Sequence, residues 1–255
     1  MLTLSNITHV YQNTNDDSVK ALLGINSSFK PGSINLIIGA NGSGKSTLLL
    51  ISSGLLKPTF GTVSCSENNV KSNLRYIGFV FQYPENYFFE ENVFKEVTYA
   101  ARNYKLDNIR KRYAYAMNYV GLDPEKFVET SPFQLSGGER RKVAIACSLV
   151  HDPDYLFFDE PTASLDDNGL MKLKSLISRL KKSDKTIIIS THWPEDFFDI
   201  TDNVIALNSG RKAFEGNTKK FINVVKFKHK EFGLVLDKKL QHFVSSYERK
   251  NKKRK

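Results

Sequence analysis

The feature that most constrains the fold is the segment Gly39–Ser46, which reads GANGSGKS. It fits the phosphate-loop pattern G-x-x-x-x-G-K-[ST] at every position and follows the apolar run Ile34–Ile38, which is typical of a strand buried on both faces of a parallel sheet. We therefore predict a strand, a glycine-rich loop and a helix over Ser46–Leu56, with the loop N–H groups and the helix N-terminus facing phosphate oxygens. Lys45 is expected to reach the β- and γ-phosphates and Ser46 to ligate Mg²⁺. The plainer alternative is a glycine-rich turn before a capped helix.

A second apolar run, Tyr155–Phe158, ends in the two carboxylates Asp159 and Glu160. The carboxyl end of a parallel strand faces the ligand crevice of an α/β sheet. We expect Asp159 to hold Mg²⁺ through water and Glu160 to polarise an attacking water molecule. Acidic residues at a strand end are weak as a signal when taken alone, because many strands end in a solvated turn, but beside a phosphate loop they indicate a hydrolytic site.

The remaining periodicity gives the fold class. Helical spacing of apolar residues is found over Val93–Tyr104, Ile109–Val120, Gly138–Val150 and Gly169–Lys181, and strand-like runs are found at Gly61–Val63, Tyr76–Phe81 and Thr186–Ser190. Strand–helix alternation of this kind predicts an α/β fold with a parallel sheet. The N-terminal strands predict an additional antiparallel β subdomain, and the helical block at about residues 84–140 predicts an α-helical subdomain inserted into the α/β core.

The segment Leu135–Glu139, which reads LSGGE, narrows the prediction to a family. Ser136 and Glu139 have the spacing of a capping box, and the glycines with the following helix N-terminus form an anion site. Here the chain resembles the ATP-binding cassette (ABC) family, whose signature reads LSGGQ or LSGGE. The resemblance implies a P-loop NTPase fold over residues 1–215, and it implies that this loop contacts ATP bound to the opposite subunit.

Four further residues match the family in order and spacing. Gln82 is similar to the Q-loop glutamine, which senses Mg²⁺ and the membrane partner, and Asp166 to the aspartate of the D-loop at the dimer seam. His192 matches the switch histidine that contacts the γ-phosphate, and Tyr11 matches the aromatic residue that stacks on adenine. Each also has a plainer reading, as a loop polar group for Gln82 and Asp166, a strand-end residue for His192 and a core aromatic for Tyr11. The role of Tyr11 is left open, since an offset of one or two residues is possible.

The resemblance predicts two chains that enclose two ATP molecules head to tail, with ATP and Mg²⁺ as cofactors. The expected catalytic residues are Gln82, Glu160 and His192, and the expected metal ligands are Ser46, Gln82 and Asp159. The residues expected to contact the nucleotide are Tyr11, Asn41, Gly42, Ser43, Gly44, Lys45, Ser46, Thr47, Ser136, Gly137, Gly138 and Asp166, where residues 136–138 come from the opposite chain. Whether the pair is a homodimer or a heterodimer stays open.

The segment Phe81–Val97 carries a subtype pattern, FQYPENYFFEENVFKEV. It resembles the ATPases of energy-coupling factor (ECF) importers, although Tyr87 replaces a usual glutamine and Ser164 a frequent glycine. ECF importers take up vitamins or transition-metal ions through a small substrate-binding membrane subunit, which a membrane coupling subunit joins to two ATPase subunits. The resemblance therefore implies an ATP-hydrolysing subunit of such an importer, whose substrate the chain does not reveal.

Three other functions are compatible with parts of this sequence. The first is the ATPase subunit of another type of ABC transporter, and the second is a soluble ABC ATPase of translation or DNA repair. The single cassette and the absence of a long coiled-coil insertion argue against the second. The third is a regulatory module that binds nucleotide without hydrolysis, and the retention of Glu160 and His192 argues against it.

The charge is concentrated in a C-terminal extension, residues 216–255. It holds thirteen Lys or Arg residues against three acidic ones, a surplus of ten that equals the formal net charge of the whole chain. The balanced remainder argues against a nucleic-acid-binding body. The apolar residues of the extension share one helical face: Leu236, Leu240, Phe243, Val244 and Tyr247. We expect this face to be exposed and covered by a partner subunit; the alternative is a helix packed on its own core or a partly disordered basic tail.

The apolar runs, the N-terminal residues and the cysteines predict where in the cell the chain is located. No apolar run approaches the roughly 18–20 residues of a membrane helix, and the first ten residues lack the pattern of a secretory signal. The two cysteines, Cys65 and Cys147, form no disulfide framework, which favours a reducing compartment. We therefore expect a peripheral subunit on the cytoplasmic face of the membrane, with separate membrane subunits for any transport.

Overall fold

The computed structural model describes residues 1–12, 18–65, 74–163, 165–236 and 238–252. The strands are β1 (Leu2–Gln12), β2 (Ser18–Phe29), β3 (Ile34–Ile38), β4 (Phe60–Cys65), β5 (Ile77–Val80), β6 (Tyr155–Asp159), β7 (Thr186–Thr191), β8 (Asn203–Asn208) and β9 (Arg211–Asn217). The helices are α1 (Lys45–Ser52), α2 (Val93–Asn103), α3 (Ile109–Tyr119), α4 (Pro124–Phe127), α5 (Gly137–Leu149), α6 (Asp167–Lys182), α7 (Thr218–Lys228) and α8 (Lys238–Lys252).

The chain divides into two compact units. The first comprises Met1–Ser72 together with Ile188–Lys255, and the second comprises Asn73–Ile187. The C-terminal extension therefore clusters with the N-terminal residues in the first unit. The boundaries predicted from sequence, a cassette over 1–215 and an extension over 216–255, stay predictions.

The first unit contains an antiparallel sheet in the order β2-β1-β4. Leu2 and Leu4 of β1 are buried, which follows from the alternation of side chains across a strand. Ile7 is buried as well because a register shift between Leu4 and Ile7 interrupts that alternation. The short strands expected at the N-terminus are thus one strand of eleven residues. Residues 13–17, between β1 and β2, lie outside the described part of the chain.

The same unit contains the strand before the phosphate loop. β3 pairs in parallel with β8, which pairs antiparallel with β9, and all five residues of β3 are buried, as predicted for a strand covered on both faces. Helix α1 ends at Ser52, so the expected extension to Leu56 is wrong. The helix stops early because Gly54 adopts a left-handed conformation, with φ of 75°.

The C-terminal extension forms two helices, α7 and α8, that pack within the first unit. Leu240 and Val244 are each only 2% exposed, and the Phe243 ring lies 5.3 Å from the Phe198 ring. The expectation of an exposed apolar stripe is therefore wrong for Leu240 and Val244, because the unit's own core covers them. The intramolecular alternative is confirmed for these residues. Residues 253–255 of the basic end lie outside the described residues.

The second unit combines a parallel strand pair with a helical insertion. β5 pairs with β6 in register from Ile77–Tyr155 to Val80–Phe158, and helices α2, α3 and α5 between these strands pack against one another. The sequence did not predict the short helix α4. It begins at Pro124, where the Asp123 carboxylate accepts a hydrogen bond from the Glu125 N–H at 3.0 Å.

The predicted fold class is confirmed. Parallel pairs (β3–β8 and β5–β6), an antiparallel sheet and an inserted helical block are all present. Among the described residues, no helix combines the length and the apolar character that crossing a bilayer requires.

Candidate functional site

The phosphate loop connects β3 to α1 in the first unit. The Lys45 ammonium donates hydrogen bonds to the carbonyls of Gly39 at 3.1 Å and Ala40 at 3.2 Å, so its side chain lies back along the loop. Gly44 occupies the N-cap of α1 and has no side chain that caps the first-turn N–H groups. A helix N-terminus whose first-turn N–H groups lack a side-chain cap attracts an anion.

Two glycines of the loop occupy positions that exclude a larger residue. A Cβ atom on Gly39, whose φ is 149°, would lie 2.3 Å from the Leu207 carbonyl oxygen. A Cβ atom on Gly44, whose φ is 100°, would lie 2.5 Å from the Ala21 carbonyl oxygen. Only glycine combines a positive φ with such a close backbone approach, so the motif keeps the loop tightly turned.

Ser43 adds an unusual feature to the loop. Its hydroxyl is buried, with the residue 3% exposed, and finds no hydrogen-bond partner among the described residues. A buried hydroxyl of this kind is costly and is found chiefly where function or an additional bound group compensates. The neighbouring loop residues Asn41, Gly42 and Ser46 are exposed. The loop therefore presents both accessible groups and an unsatisfied polar atom.

Tyr11, whose role the sequence left open, lies beside the first turn of α1. Its hydroxyl is 3.3 Å from the Thr47 hydroxyl, and the His9 and Tyr11 rings pack edge-to-face with centroids 4.6 Å apart. The ring is 39% exposed, which leaves aromatic surface for a planar base. The structure thus brings Tyr11 to the phosphate-loop helix, while adenine stacking stays a prediction.

His192 follows β7 directly, also in the first unit. The next residue, Trp193, donates its N–H to the Thr191 hydroxyl at 3.0 Å, and its ring is 5.1 Å from that of His192. A 3₁₀ turn over Pro194–Asp196 comes next. The chain therefore bends at His192 directly after the strand, while contact of His192 with the γ-phosphate stays a prediction.

In the second unit, β6 carries Asp159 at its end and Glu160 immediately after it. Glu160 is buried and has φ of 44°, a left-handed conformation that residues other than glycine rarely adopt. The Ala163 N–H bonds to the Glu160 carbonyl at 3.2 Å, which closes the turn. Strained conformations of this kind concentrate at functional sites, where the surroundings hold them in place.

Arg141 is a residue that sequence reasoning missed. It lies on α5 and donates from Nη1 to the Pro161 carbonyl at 2.6 Å and from Nη2 to the Gln82 carbonyl at 3.4 Å. The structure thereby links the backbone of Gln82 to the turn after Glu160. The only available signal was the basic run that follows LSGGE, and such a run does not reveal which of its side chains points inward.

The LSGGE loop is an exposed helix N-terminus with a complete capping box. The Ser136 hydroxyl donates to the Glu139 carboxylate at 2.7 Å and accepts from the Glu139 N–H, while the Ser136 N–H donates to the same carboxylate at 3.0 Å. These bonds lower the pKa of Glu139, with the larger effect from the Ser136 hydroxyl and the smaller from the Ser136 N–H. A Cβ atom on Gly137 or Gly138 would meet nothing within 4 Å. The predicted cap is confirmed, and the loop is open to a ligand or a second chain.

Two other motif residues have local structural roles. The Asp166 carboxylate caps α6 by accepting from the Gly169 N–H at 2.7 Å. Ser164, two residues earlier, lies outside the described residues. Glu96, from the ECF-like pattern, accepts from the N–H groups of Phe89 at 3.0 Å and Glu90 at 2.8 Å. Burial raises the pKa of Glu96 despite these bonds. Glu96 therefore fixes the segment after Gln82 onto α2.

No group of three or more His, Cys, Asp or Glu side chains suited to a metal occurs in the described ranges.

The ABC transporter family matches residues 22–163, which is more than half of the chain. The chain is also similar in structure to a bacterial ABC transporter cassette solved as a dimer, with a TM-score of 0.76 and 30% identity over 86% of this chain and 99% of that one. The chain therefore belongs to the ABC transporter family.

The names of several relatives specify a type of ABC transporter. The energy-coupling factor transporter ATP-binding protein EcfA2 of Thermotoga maritima is 39% identical over 224 residues, 85% of this chain and 83% of the relative. EcfA2 of Clostridium tetani is 38% identical over 234 residues, 88% of this chain and 81% of the relative. The structure of cbiO1 from Clostridium perfringens, described as part of the ABC transporter complex cbiONQ, matches with a TM-score of 0.74 and 33% identity over 91% of this chain and 96% of that one. Within the family, the chain thus belongs with the energy-coupling factor ATP-binding proteins, as the resemblance predicted.

Proposed function

We propose that this chain binds and hydrolyses ATP to power an ECF-type importer of a vitamin or a transition-metal ion. The observation that carries the proposal is the phosphate loop, where the Lys45 ammonium folds onto the carbonyls of Gly39 and Ala40 next to an uncapped helix N-terminus. An ammonium and a row of N–H groups in one loop form an anion site suited to the phosphates of a nucleotide.

The motif residues then take the roles that the family resemblance gives them. Lys45 neutralises the β- and γ-phosphates, and Tyr11 stacks on adenine. Glu160 accepts a proton from the attacking water, which requires the carboxylate form. His192 contacts the γ-phosphate. The burial of Glu160 and its left-handed backbone support this assignment, since a general base must be held in one orientation.

Mg²⁺ is the proposed metal cofactor. The residues proposed to hold it are Ser46, Gln82 and Asp159, which supply a hydroxyl, an amide and a carboxylate oxygen. This donor set fits Mg²⁺, which prefers oxygen ligands, retains several waters and is normally bound through one or two carboxylates plus substrate phosphates. When bound, the ion neutralises charge that develops on the phosphate oxygens.

We propose that two such chains pair, with residues 136–138 of one chain contacting ATP on the other. The exposure of these residues and the dimeric form of a solved relative support pairing. Membrane partners are proposed from the printed description of cbiO1 as part of a transporter complex. The chain would then be a peripheral subunit on the cytoplasmic face, beside a coupling subunit and a substrate-binding subunit.

ATPase assays of the purified chain test the chemistry. We expect Mg²⁺-dependent phosphate release, and we expect Glu160→Gln to lower kcat by about 10²–10⁴-fold because the amide cannot accept the proton. Glu160→Gln should keep ATP binding, whereas Lys45→Ala should weaken ATP binding itself. The exposed Lys57, just beyond α1, gives a matched control, and Lys57→Ala should behave like the wild type. Near-normal hydrolysis by Glu160→Gln would remove Glu160 from its role.

Purification of the native complex tests the transport role. The expected companions are a second ATPase subunit and integral membrane proteins, identified by mass spectrometry. Co-purification with a ribosome or with DNA-repair proteins in place of membrane proteins would favour the non-transport alternative.

A further inference from the structure

One guanidinium group in the second unit joins two segments that carry predicted catalytic residues. Arg141 lies on α5, one turn beyond the helix N-terminus formed by the LSGGE loop. Its Nη1 donates to the Pro161 carbonyl at 2.6 Å, and its Nη2 donates to the Gln82 carbonyl at 3.4 Å. The first is a short, strong bond and the second is longer, so Pro161 is the main anchor.

Both acceptors are main-chain atoms of site segments. Gln82 is a proposed metal ligand, and Pro161 directly follows the proposed base Glu160. A hydrogen bond to the main chain fixes the position of the backbone from which a catalytic side chain extends. It leaves the polar atoms of that side chain available to bind the nucleotide, the metal or water. Arg141 therefore acts on the placement of Gln82 and Glu160 rather than on a substrate.

The conformation of Glu160 makes such a restraint necessary. A φ of 44° at a residue with a Cβ is unfavourable and persists only where neighbouring contacts enforce it. The Ala163 N–H donates to the Glu160 carbonyl at 3.2 Å and Arg141 donates to the next carbonyl, that of Pro161, so both bonds restrain this turn. Loss of the Arg141 bond would remove one of these restraints.

We propose that Arg141 is a positioning residue for ATP hydrolysis, which ties the segment of Gln82 and the turn of Glu160 to the helix that follows the LSGGE loop. A displacement of α5 would then move both segments together. Arginine suits this role because its planar fork bonds two carbonyls at once, whereas a lysine ammonium is a point donor. The inference rests on the proposed ATPase function.

Kinetics of Arg141→Met and Arg141→Lys test the inference in the full-length chain. We expect Arg141→Met to lower kcat by about 10- to 100-fold, the range for displacing a catalytic group by up to about 1 Å, with the Kd for ATP within about twofold. Arg141→Lys, which retains the charge, should fold like the wild type and recover only part of kcat. Arg179→Met is the matched control, because Arg179 in the same unit also donates to a backbone carbonyl, that of Tyr119, at 2.6 Å.

A double mutant separates positioning from a general structural role. If Arg141 acts chiefly by placing the turn of Glu160, the loss of kcat in Glu160→Gln combined with Arg141→Met is smaller than the product of the two single losses. Losses that multiply, or a kcat of Arg141→Met equal to that of Arg179→Met, overturn the inference. A wild-type chain without ATPase activity would instead overturn the proposed function, so the two failures are distinguishable.

Discussion

Substitution of Leu240 by alanine tests whether the C-terminal helix stabilises its own unit. Leu240 is 2% exposed on α8, and Val244, one turn further on, is equally buried. The same helix is tied down by the Lys239 ammonium, 2.6 Å from the Asp196 carboxylate, and by the Phe243 ring against Phe198. A side chain in such a position contributes to folding of the chain itself, before any partner binds.

The expected magnitude follows from this burial. Complete burial of a leucine side chain contributes about 1.5–3 kcal/mol, and truncation to alanine in a core costs about 2–5 kcal/mol once the cavity is included. Leu240→Ala should therefore lower the free energy of unfolding by about 2–5 kcal/mol. The thermal midpoint should fall by about 2–4 °C for each kcal/mol in a chain of this size.

Urea unfolding without nucleotide, at two protein concentrations, is the assay. Val235→Ala is the matched control, because Val235 is 83% exposed just before α8 and should change the free energy by less than about 0.5 kcal/mol. Sedimentation of the same proteins reports on pairing. A Leu240→Ala variant that unfolds like Val235→Ala but pairs more weakly would show that a partner chain, and not the unit's own core, covers the face.

Two further predictions concern the nucleotide loops. Ser136→Arg should spare ATP binding to a single chain but abolish ATP-dependent pairing, measured by sedimentation with and without ATP; equal loss of monomeric binding would contradict a role toward the opposite chain. Gly44→Ala should abolish ATP binding, because its Cβ would lie 2.5 Å from the Ala21 carbonyl oxygen. Gly42→Ala also places alanine at a positive φ, 73°, but has open space around its Cβ and should retain measurable binding by titration calorimetry. Equal affinities of the two alanine variants would show that the close approach at Gly44 does not shape the loop.

Local features of this protein were readable from the sequence. The phosphate loop, the cap formed by Ser136 and Glu139, and the buried strand Ile34–Ile38 depend on neighbouring residues and on a simple apolar run. Backbone conformation and capping are decided within a few residues, so the pattern of residue types is sufficient. The two helices of the inserted block, α2 and α3, were likewise predicted within a residue at each end because their periodicity is strong.

Other local features escaped prediction. Helix α1 was expected to reach Leu56, but Gly54 ends it four residues earlier, at Ser52. Helix α4 was not predicted, although Asp123 and Pro124 form a good N-terminus for a short helix. In both cases the residue types that favour a turn also favour the end of a helix. The sequence pattern alone therefore does not distinguish a turn from a helix terminus.

Only the tertiary structure shows which residues distant in sequence contact one another. The apolar face of α8 has the same sequence whether it meets a second chain or its own unit, and only the packing of Leu240 and Val244 shows that the unit covers it. Likewise, Arg141 is one of several basic residues on α5, and its bonds to Gln82 and Pro161 span 59 and 20 positions of the chain. Residue types and their spacing determine local conformation and chemistry, whereas the partner of a buried face or of a long side chain depends on contacts between distant segments, which form only when the whole chain folds.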